Sequence, residues 1–201
     1  MQRPSGHREL YDLAQEQGGY FTAKQAALCG YTANKRNYHV RAGNWIREHR
    51  GIYRLALFPA PERPDLILWW LWSRGRDDAP VGVFSHRTAL SLHELTDANP
   101  ARLDLTVPPS FRKGAPIPPI IHLHFIALAP NECQTVAGVP TTNSLRTIID
   151  IWRDGDLPRS ILSEAFAEAL RRGKITINEV ARARSNPLTA QILSEIQQGE
   201  E

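Results

Sequence analysis

The sequence predicts an α+β protein in which an N-terminal winged helix-turn-helix is followed by a mixed α/β domain with a C-terminal helical region. Three observations lead to this prediction. Glycine-punctuated helical patterns and a hairpin pattern fill residues 1–58. Closely spaced prolines then mark a linker at 59–64. Strand and helix patterns alternate over residues 65–201.

The winged helix-turn-helix is predicted from the order of its elements, which is helix, helix, glycine turn, helix and hairpin. Gly18 and Gly30 end the first two helices. Thr22 and Gln25 have the spacing of a capping box at the start of the second helix. The predicted elements are helices over Arg8–Gln17, Ala23–Cys29 and Ala33–Ala42, and a hairpin between Trp45 and Leu55.

Charge is distributed unevenly along the chain. The formal net charge is only +3, yet residues 1–58 hold nine Lys and Arg against four acidic residues. The rest of the chain has a slight acidic excess. Such asymmetry is typical of a polyanion-binding surface, although an ordinary solvated basic face would look the same from charge alone. The coincidence of the basic residues with the third helix and the hairpin favours DNA binding.

The third predicted helix and the hairpin supply the candidate DNA-binding residues. Side chains at the start of such a recognition helix read bases in the major groove, where Lys or Arg pairs with guanine and Asn with adenine. Wing residues more often contact phosphates. Helical spacing turns Val40 inward and brings Arg36 close to the core. The candidates are Thr32, Asn34, Lys35, Arg36, Tyr38, His39 and Arg41 on the helix and Arg47, His49, Arg50 and Arg54 on the wing.

The remainder of the chain predicts an α/β domain. Asp65–Ser73 is apolar on all sides and is predicted as a buried helix. Leu103–Val107 and Ile121–Phe125 alternate as half-buried strands. Ser144 is predicted to cap a helix that continues to Arg153, with Arg146 and Asp150 forming an i,i+4 pair on it. An amphipathic helix over 158–172 is predicted to turn Ile161, Leu162, Ala165, Phe166 and Leu170 inward.

No catalytic or cofactor motif stands out. The sequence has no GxSxG elbow, no phosphate-binding GxxxxGK[ST] loop and no HExxH or CxxC zinc spacing. His86, His93, His122, His124 and Glu94 could be drawn together as a metal site, but the spacing favours a structural role, with Ser85 capping a helix and His86 bonding locally. We therefore expect no enzyme activity, no cofactor and no metal.

Four stretches, in this order, resemble the AbiEi-type antitoxins of bacterial type IV toxin–antitoxin systems. They are the hairpin region from Val40 to Arg54, then FSHRTALSLH (84–93), LTVP (105–108) and GVPTTNSLRTIID (138–150). The resemblance implies a winged helix-turn-helix that binds and represses its own promoter. It also implies an antitoxin domain that counters a nucleotidyltransferase-like toxin without a stable complex. Family members without an adjacent toxin make the repressor role the safer expectation.

Three other functions remain open at this point. One is a stand-alone winged-helix transcription factor without a toxin partner. Another is a nucleic-acid-processing enzyme, whose strands in the second domain would need clustered carboxylates or a metal site. The third is an RNA-binding protein, which would need stacked aromatics on a sheet. The absence of a secretory signal and of an apolar run of about 18 residues predicts a cytoplasmic protein that does not enter membranes. We expect double-stranded DNA with inverted half-sites as the partner, bound by a possible dimer.

Overall fold

The computed structural model describes residues 6–75, 78–97 and 100–198. The chain divides into two compact units, Met1–Val81 and Gly82–Glu201. Both units combine helices with a β-sheet, so the mixed α/β character predicted from the sequence is confirmed. Within the described residues, no helix is long and apolar enough to cross a membrane.

The first unit contains four helices and a three-stranded sheet among its described residues. The predicted helices and hairpin are present, with ends that differ by one or two residues. A short strand at Tyr20–Thr22, which was not predicted, pairs antiparallel with the second hairpin strand. In chain order the elements are α1 (Gly6–Glu16), β1 (Tyr20–Thr22), α2 (Ala23–Leu28), α3 (Ala33–Arg41), β2 (Trp45–His49), β3 (Ile52–Leu55) and α4 (Pro64–Trp72), with the sheet order β1-β3-β2.

Aromatic side chains form the centre of the first core. Phe21 on β1 meets Trp45 edge-on, with ring centroids 4.8 Å apart, and stacks on Tyr53 at 5.9 Å. Leu10 and Ala14 cover this group from α1. Such pairs add to the free energy gained from the apolar area they bury. Trp45 and Tyr53 therefore anchor the hairpin in this core.

The first unit extends beyond the predicted linker. Helix α4 packs against β1 and β3, and its side chains Leu66, Leu71 and Trp72 are buried. The division by contacts falls near residue 81, whereas the proline pattern placed it at 59–64. Prolines indicate an irregular segment, but they do not show whether the helix that follows packs on the unit before it or on the unit after it.

The second unit is built on a five-stranded mixed sheet of order β6-β5-β4-β8-β7. Strand β5 runs antiparallel to β4 and parallel to β6, while β4 runs parallel to β8. A helical core of Ile148, Phe166, Leu193 and their neighbours completes the unit. The elements are β4 (Val83–Phe84), α5 (His86–Leu92), β5 (Leu103–Val107), β6 (Ile121–Phe125), a 3-10 turn (Pro130–Glu132), β7 (Cys133–Val136), β8 (Val139–Thr142), α6 (Ser144–Asp154), α7 (Arg159–Arg171), α8 (Ile177–Ala183) and α9 (Pro187–Gln198).

Three details of the second unit differ from the sequence prediction. All five residues of β5 are buried, because the strand has neighbours on both edges and α5 also packs against it. Asn143, and not Ser144, caps α6: its side chain accepts a hydrogen bond from the Arg146 backbone N–H. Ile161 on α7 is exposed, although Leu162, Ala165 and Phe166 face the core as predicted.

Candidate functional sites

Helix α3 presents most of its surface to solvent, and none of its residues is buried. Its N-terminus is capped by Thr32, whose hydroxyl accepts a hydrogen bond from the Lys35 backbone N–H at 3.4 Å. Val40 is its contact with the core of the unit, as predicted. Asn34, Lys35, Tyr38 and Arg41 are exposed, and their spacing of three or four residues places them along one side of the helix.

Among the predicted α3 contacts, Arg36 and His39 are partly buried against protein partners, while the exposed Lys35 makes one long hydrogen bond from Nζ to the Gly30 carbonyl oxygen at 3.4 Å. The Arg36 guanidinium is half-buried and donates through Nη1 to the Tyr31 carbonyl oxygen at 2.8 Å. The His39 ring stacks on Trp45 with centroids 4.7 Å apart and lies 3.2 Å from the Asn44 side-chain amide. Burial lowers the pKa of His39, and the neighbouring His7 and Lys35 lower it further. His39 is therefore neutral at pH 7.

The hairpin divides its candidates in the same way. Arg47 and Arg50 are exposed, and within the described residues neither has a hydrogen-bond or ion-pair partner. Arg54 donates through Nε to Glu48 Oε1 at 2.8 Å and lies over the Tyr20 ring. His49 meets Trp69 of α4 edge-on, with centroids 5.4 Å apart. The exposed candidates, here called the α3–hairpin set, are Thr32, Asn34, Lys35, Tyr38, Arg41, Arg47 and Arg50.

A second candidate site lies in the other unit, where the fold brings three of the predicted histidines together with two aspartates. Here His86 from α5 meets His122 and His124 from β6. Both β6 rings lie within 3.0 Å of Asp104 Oδ1, and the His86 ring nitrogen Nε2 lies 3.2 Å from Asp154 Oδ2. The histidines were predicted as a group, but Asp154 was not, because it is thirty residues from the nearest of them in the chain.

The sequence also predicted roles for Ser85, His93 and Glu94 near this cluster. His86 Nδ1 lies 2.9 Å from Ser85 Oγ, which confirms a local hydrogen bond, but Ser85 makes no side-chain cap to α5 and that prediction is wrong. The Ser85 hydroxyl instead accepts a hydrogen bond from Thr106 Oγ1 at 2.7 Å, and the backbone of His86 is left-handed, with φ of 48°. His93 bonds the Thr142 carbonyl oxygen and Glu94 pairs with Arg172, so neither joins the cluster.

Burial and hydrogen bonding act in opposite directions on the cluster's ionisable groups. Burial lowers the pKa of His86, and the adjacent His124 lowers it further against the opposing charges of Asp150 and Asp154. Burial would raise the pKa of Asp104, but hydrogen bonds from His124 and His122 outweigh it and hold that pKa below its usual value. Asp104 is therefore a carboxylate at neutral pH.

Comparison with known proteins agrees with the character of the first unit. Residues 8–56 match a family of transcriptional regulators described as "Transcriptional regulator, AbiEi antitoxin". This match confirms, over this segment, the resemblance noted in the sequence. The match covers α1 through the hairpin and therefore contains the whole α3–hairpin set.

The whole chain also has a structural counterpart. The RV2827C protein from Mycobacterium tuberculosis matches with a TM-score of 0.60 and 14% identity, over 100% of this chain and 79% of that one. At this identity the match shows a shared fold and nothing about activity. No curated protein sequence matches the chain.

Proposed function

We propose that the protein is a double-stranded-DNA-binding transcriptional repressor and not an enzyme. Helices α1–α3 with the β2–β3 hairpin form the winged helix-turn-helix, and α3 enters the major groove. The observation that carries this proposal is the exposure of α3, which has no buried residue. This helix lies within the segment that matches a family of transcriptional regulators. A helix of this kind suits a partner surface, because it leaves its polar side chains free to bond elsewhere.

The exposed side chains fall into two groups, those suited to contact DNA bases and those suited to contact DNA phosphates. Asn34 and Lys35 lie at the N-terminal end of α3, where a bidentate amide suits adenine and an ammonium suits guanine. Arg41, Arg47 and Arg50 supply cations to phosphates, which fix the register of the protein on DNA without reading its sequence. Four of the predicted contacts would have to give up existing partners to reach DNA: Arg36, His39, His49 and Arg54. We propose that they hold α3 and the hairpin in place and do not contact DNA themselves.

A salt-dependent mobility-shift series with upstream DNA tests this proposal. We expect Lys35→Ala and Arg50→Ala to weaken binding, and each lost phosphate contact to reduce the slope of log K against log salt by about 1. Arg8→Ala is the matched control: it removes one exposed cation from α1, outside the set. If the Lys35 and Arg50 variants bind like the control while circular dichroism shows an intact fold, the assignment of α3 and the hairpin is wrong.

The DNA target should contain paired, inverted half-sites. A single small module buries only about 600–1,000 Å² of protein surface on DNA, and useful specificity therefore favours two copies. Footprinting of the promoter should show two protected segments related by a two-fold axis. Protection of one isolated half-site would argue for a monomeric repressor.

The second proposed role is that of an antitoxin acting in the cytoplasm against a nucleotidyltransferase-like toxin, without forming a stable complex with it. The family of residues 8–56 supports this context. Co-expression of the full chain with the product of an adjacent nucleotidyltransferase-like gene should restore growth. The Lys35→Ala variant should still restore growth when both genes are under an unrelated promoter, because antitoxin activity is then separated from repression. Failure of the wild-type protein would leave a plain transcription factor.

A further inference from the structure

The histidine–aspartate cluster of the second unit is assembled by the pairing of two strands. Strands β5 and β6 run parallel, with Asp104 opposite His122 and Thr106 opposite His124. Because alternate residues of a strand share a face, His122 and His124 lie on one side of β6 and reach towards Asp104 on the neighbouring strand. The side chains of Asp104 and His124 are 8% and 9% exposed, whereas that of His122 is 49% exposed. Asp104 and His124 are thus enclosed by the fold, whereas His122 and Asp154, the latter 43% exposed, reach solvent.

Three atoms converge in this cluster with the spacing of metal ligands. His122 Nδ1 and His124 Nε2 lie 3.0 and 2.9 Å from the same oxygen of Asp104. With bonds of about 2.1 Å, neighbouring ligand atoms are about 3.0 Å apart at right angles and about 3.4 Å apart in a tetrahedron. The three atoms all lie within 4.8 Å of one another, which is close enough for them to share one ion.

The orientation of the two rings agrees with this spacing. The His122 and His124 rings are inclined by 58°, with centroids 4.4 Å apart. Given a metal–nitrogen bond of about 2.1 Å, two imidazoles on one ion would have centroids about 4.6 Å apart at right angles and about 5.3 Å apart in a tetrahedron. The observed separation is nearer to the right-angle arrangement. Small adjustments of two side chains, one of them half-exposed, would admit the ion.

The Asp154 carboxylate lies near the second ring nitrogen of His124, where it could accept that nitrogen's proton in a hydrogen bond. An ion on His124 Nε2 leaves the ring proton on Nδ1, and Asp154 Oδ2 lies 3.8 Å from that nitrogen. Histidine ligands commonly donate their second N–H to a carboxylate, which fixes the tautomer and the ring orientation. The same Asp154 oxygen lies 3.2 Å from the buried His86 Nε2, which is within ion-pair distance but without the geometry of a hydrogen bond. Additional positive charge within the cluster would draw Asp154 inward and complete both contacts.

The alternative trio of His86, His124 and Asp154 has a less suitable geometry. The His86 and His124 rings are stacked with centroids 3.5 Å apart and planes within 9°. In-plane lone pairs of two parallel rings point along separate planes, so they do not meet at one ion. This leaves Asp104, His122 and His124 as the ligands and Asp154 as the positioning group.

We propose that Asp104, His122 and His124 bind a divalent transition-metal ion of the Zn²⁺ class through Oδ1, Nδ1 and Nε2. Two imidazoles with one carboxylate suit Zn²⁺, Fe²⁺ or Ni²⁺ and disfavour Mg²⁺ and Ca²⁺, which prefer oxygen ligands. Three protein ligands leave at least one coordination position for water, on the side where His122 meets solvent. This site is independent of the DNA-binding proposal, because its residues all lie in the second unit.

Calorimetric titration of the full, untagged and chelator-treated protein with Zn²⁺ tests the proposal. We expect one ion per chain, and a loss of affinity greater than about 100-fold for His122→Gln and for Asp104→Asn. Asp154→Asn should lower the affinity by about 10–100-fold, as expected of a residue that orients a ligand. His93→Gln is the matched control, since it removes a buried histidine of the same unit that lies outside the cluster.

Nitrogen chemical shifts of the imidazole rings identify the ligand atoms. On addition of Zn²⁺ the largest changes should fall on His122 Nδ1 and His124 Nε2. Changes at His86 Nε2 and His124 Nδ1 would instead assign the stacked trio and overturn the proposal. Equal affinity of the wild-type, His122→Gln and Asp104→Asn proteins, or no binding by the wild-type protein, would show that the cluster is held by hydrogen bonds alone.

Discussion

At the scale of single residues, contacts in the folded protein determine which of the predicted DNA-binding cations remain unpaired. Arg47 and Arg54 are two cations of one hairpin, yet only Arg54 has a carboxylate, Glu48, within 2.8 Å. A cation held by a nearby carboxylate contributes less to phosphate binding, because the pair must separate first. Nothing in the local sequence distinguishes the two arginines, since the difference depends on which side of the strand Glu48 reaches.

His93 offers a test of burial at the same scale. Its ring is 2% exposed, and Nε2 donates to the Thr142 carbonyl oxygen at 2.7 Å, while the Gln134 amide lies 3.5 Å from Nδ1. Burial lowers the pKa of His93, and the charge of Lys174 lowers it further against the opposing bond to Thr142. The ring is therefore neutral in the folded protein.

The lowered pKa predicts a loss of stability in acid. Above about pH 6.5 neither state protonates His93; below it the unfolded chain binds the proton first, so folding stability falls as pH falls, by up to about 1.4 kcal/mol per pH unit. His93→Gln keeps an amide donor for Thr142 and should reduce the difference in unfolding free energy between pH 7.5 and pH 5.5. Urea unfolding at both pH values measures it. An equal pH dependence in the two proteins would contradict the prediction.

At the scale of elements, local chemistry accounts for most helix boundaries. Thr22 caps α2 as its spacing with Gln25 predicts, with the Gln25 side chain accepting from the Thr22 backbone N–H at 2.7 Å. Strand β1 was not predicted, because its three residues have too short a pattern to show alternation and gain their order from pairing with β3. Short strands of this kind exist only when their partner is in place.

The capping box of α2 should contribute measurably to stability. Thr22→Ala removes the hydroxyl that accepts from the Gln25 backbone N–H at 3.2 Å, and we expect the free energy of unfolding to fall by about 1 kcal/mol. Thr22→Ser retains an oxygen acceptor and serves as the control. Thermal or urea unfolding of the three proteins makes the comparison. If the alanine and serine variants are equally stable, the box does not hold the helix.

At the scale of the whole molecule, the chain consists of two compact units whose boundary lies beyond the proline-rich segment. The apolar side of α4, with Leu66, Ile67 and Leu71, belongs to the first unit. A helix that is hydrophobic on most sides predicts burial but not the partner that provides it. The second unit likewise depends on distant pairings, since its sheet joins β4 to β8 across more than fifty residues.

Fragments of the first unit should reveal the contribution of α4. We expect residues 1–81 to melt cooperatively and at a higher temperature than residues 1–58, because the shorter fragment exposes the apolar surface of β1 and β3 that α4 covers. Both fragments contain the α3–hairpin set, so the longer one should bind DNA at least as tightly. Circular dichroism melts and mobility shifts test both statements. Equal melting temperatures would mean that α4 adds nothing to this unit.

The sequence by itself determined the helices of the first unit, their caps, the hairpin and the resemblance of residues 8–56 to a family of transcriptional regulators. These features depend on interactions within a few residues, such as the Thr22–Gln25 capping box and helical periodicity, and short spacings record such interactions directly. The predicted pair of Arg146 and Asp150 is also present, with Nε 2.8 Å from Oδ2.

Only the tertiary structure decided which cations stay exposed, where the first unit ends and that His122, His124 and Asp104 share one site. Each of these depends on contacts between residues far apart in the chain, and the pairing of β5 with β6 sets the last of them. Known zinc motifs place ligands at short fixed spacings because a single loop or helix carries them. Here Asp104 lies on β5 and the two histidines lie on β6, and no spacing in the sequence shows how these two strands are aligned.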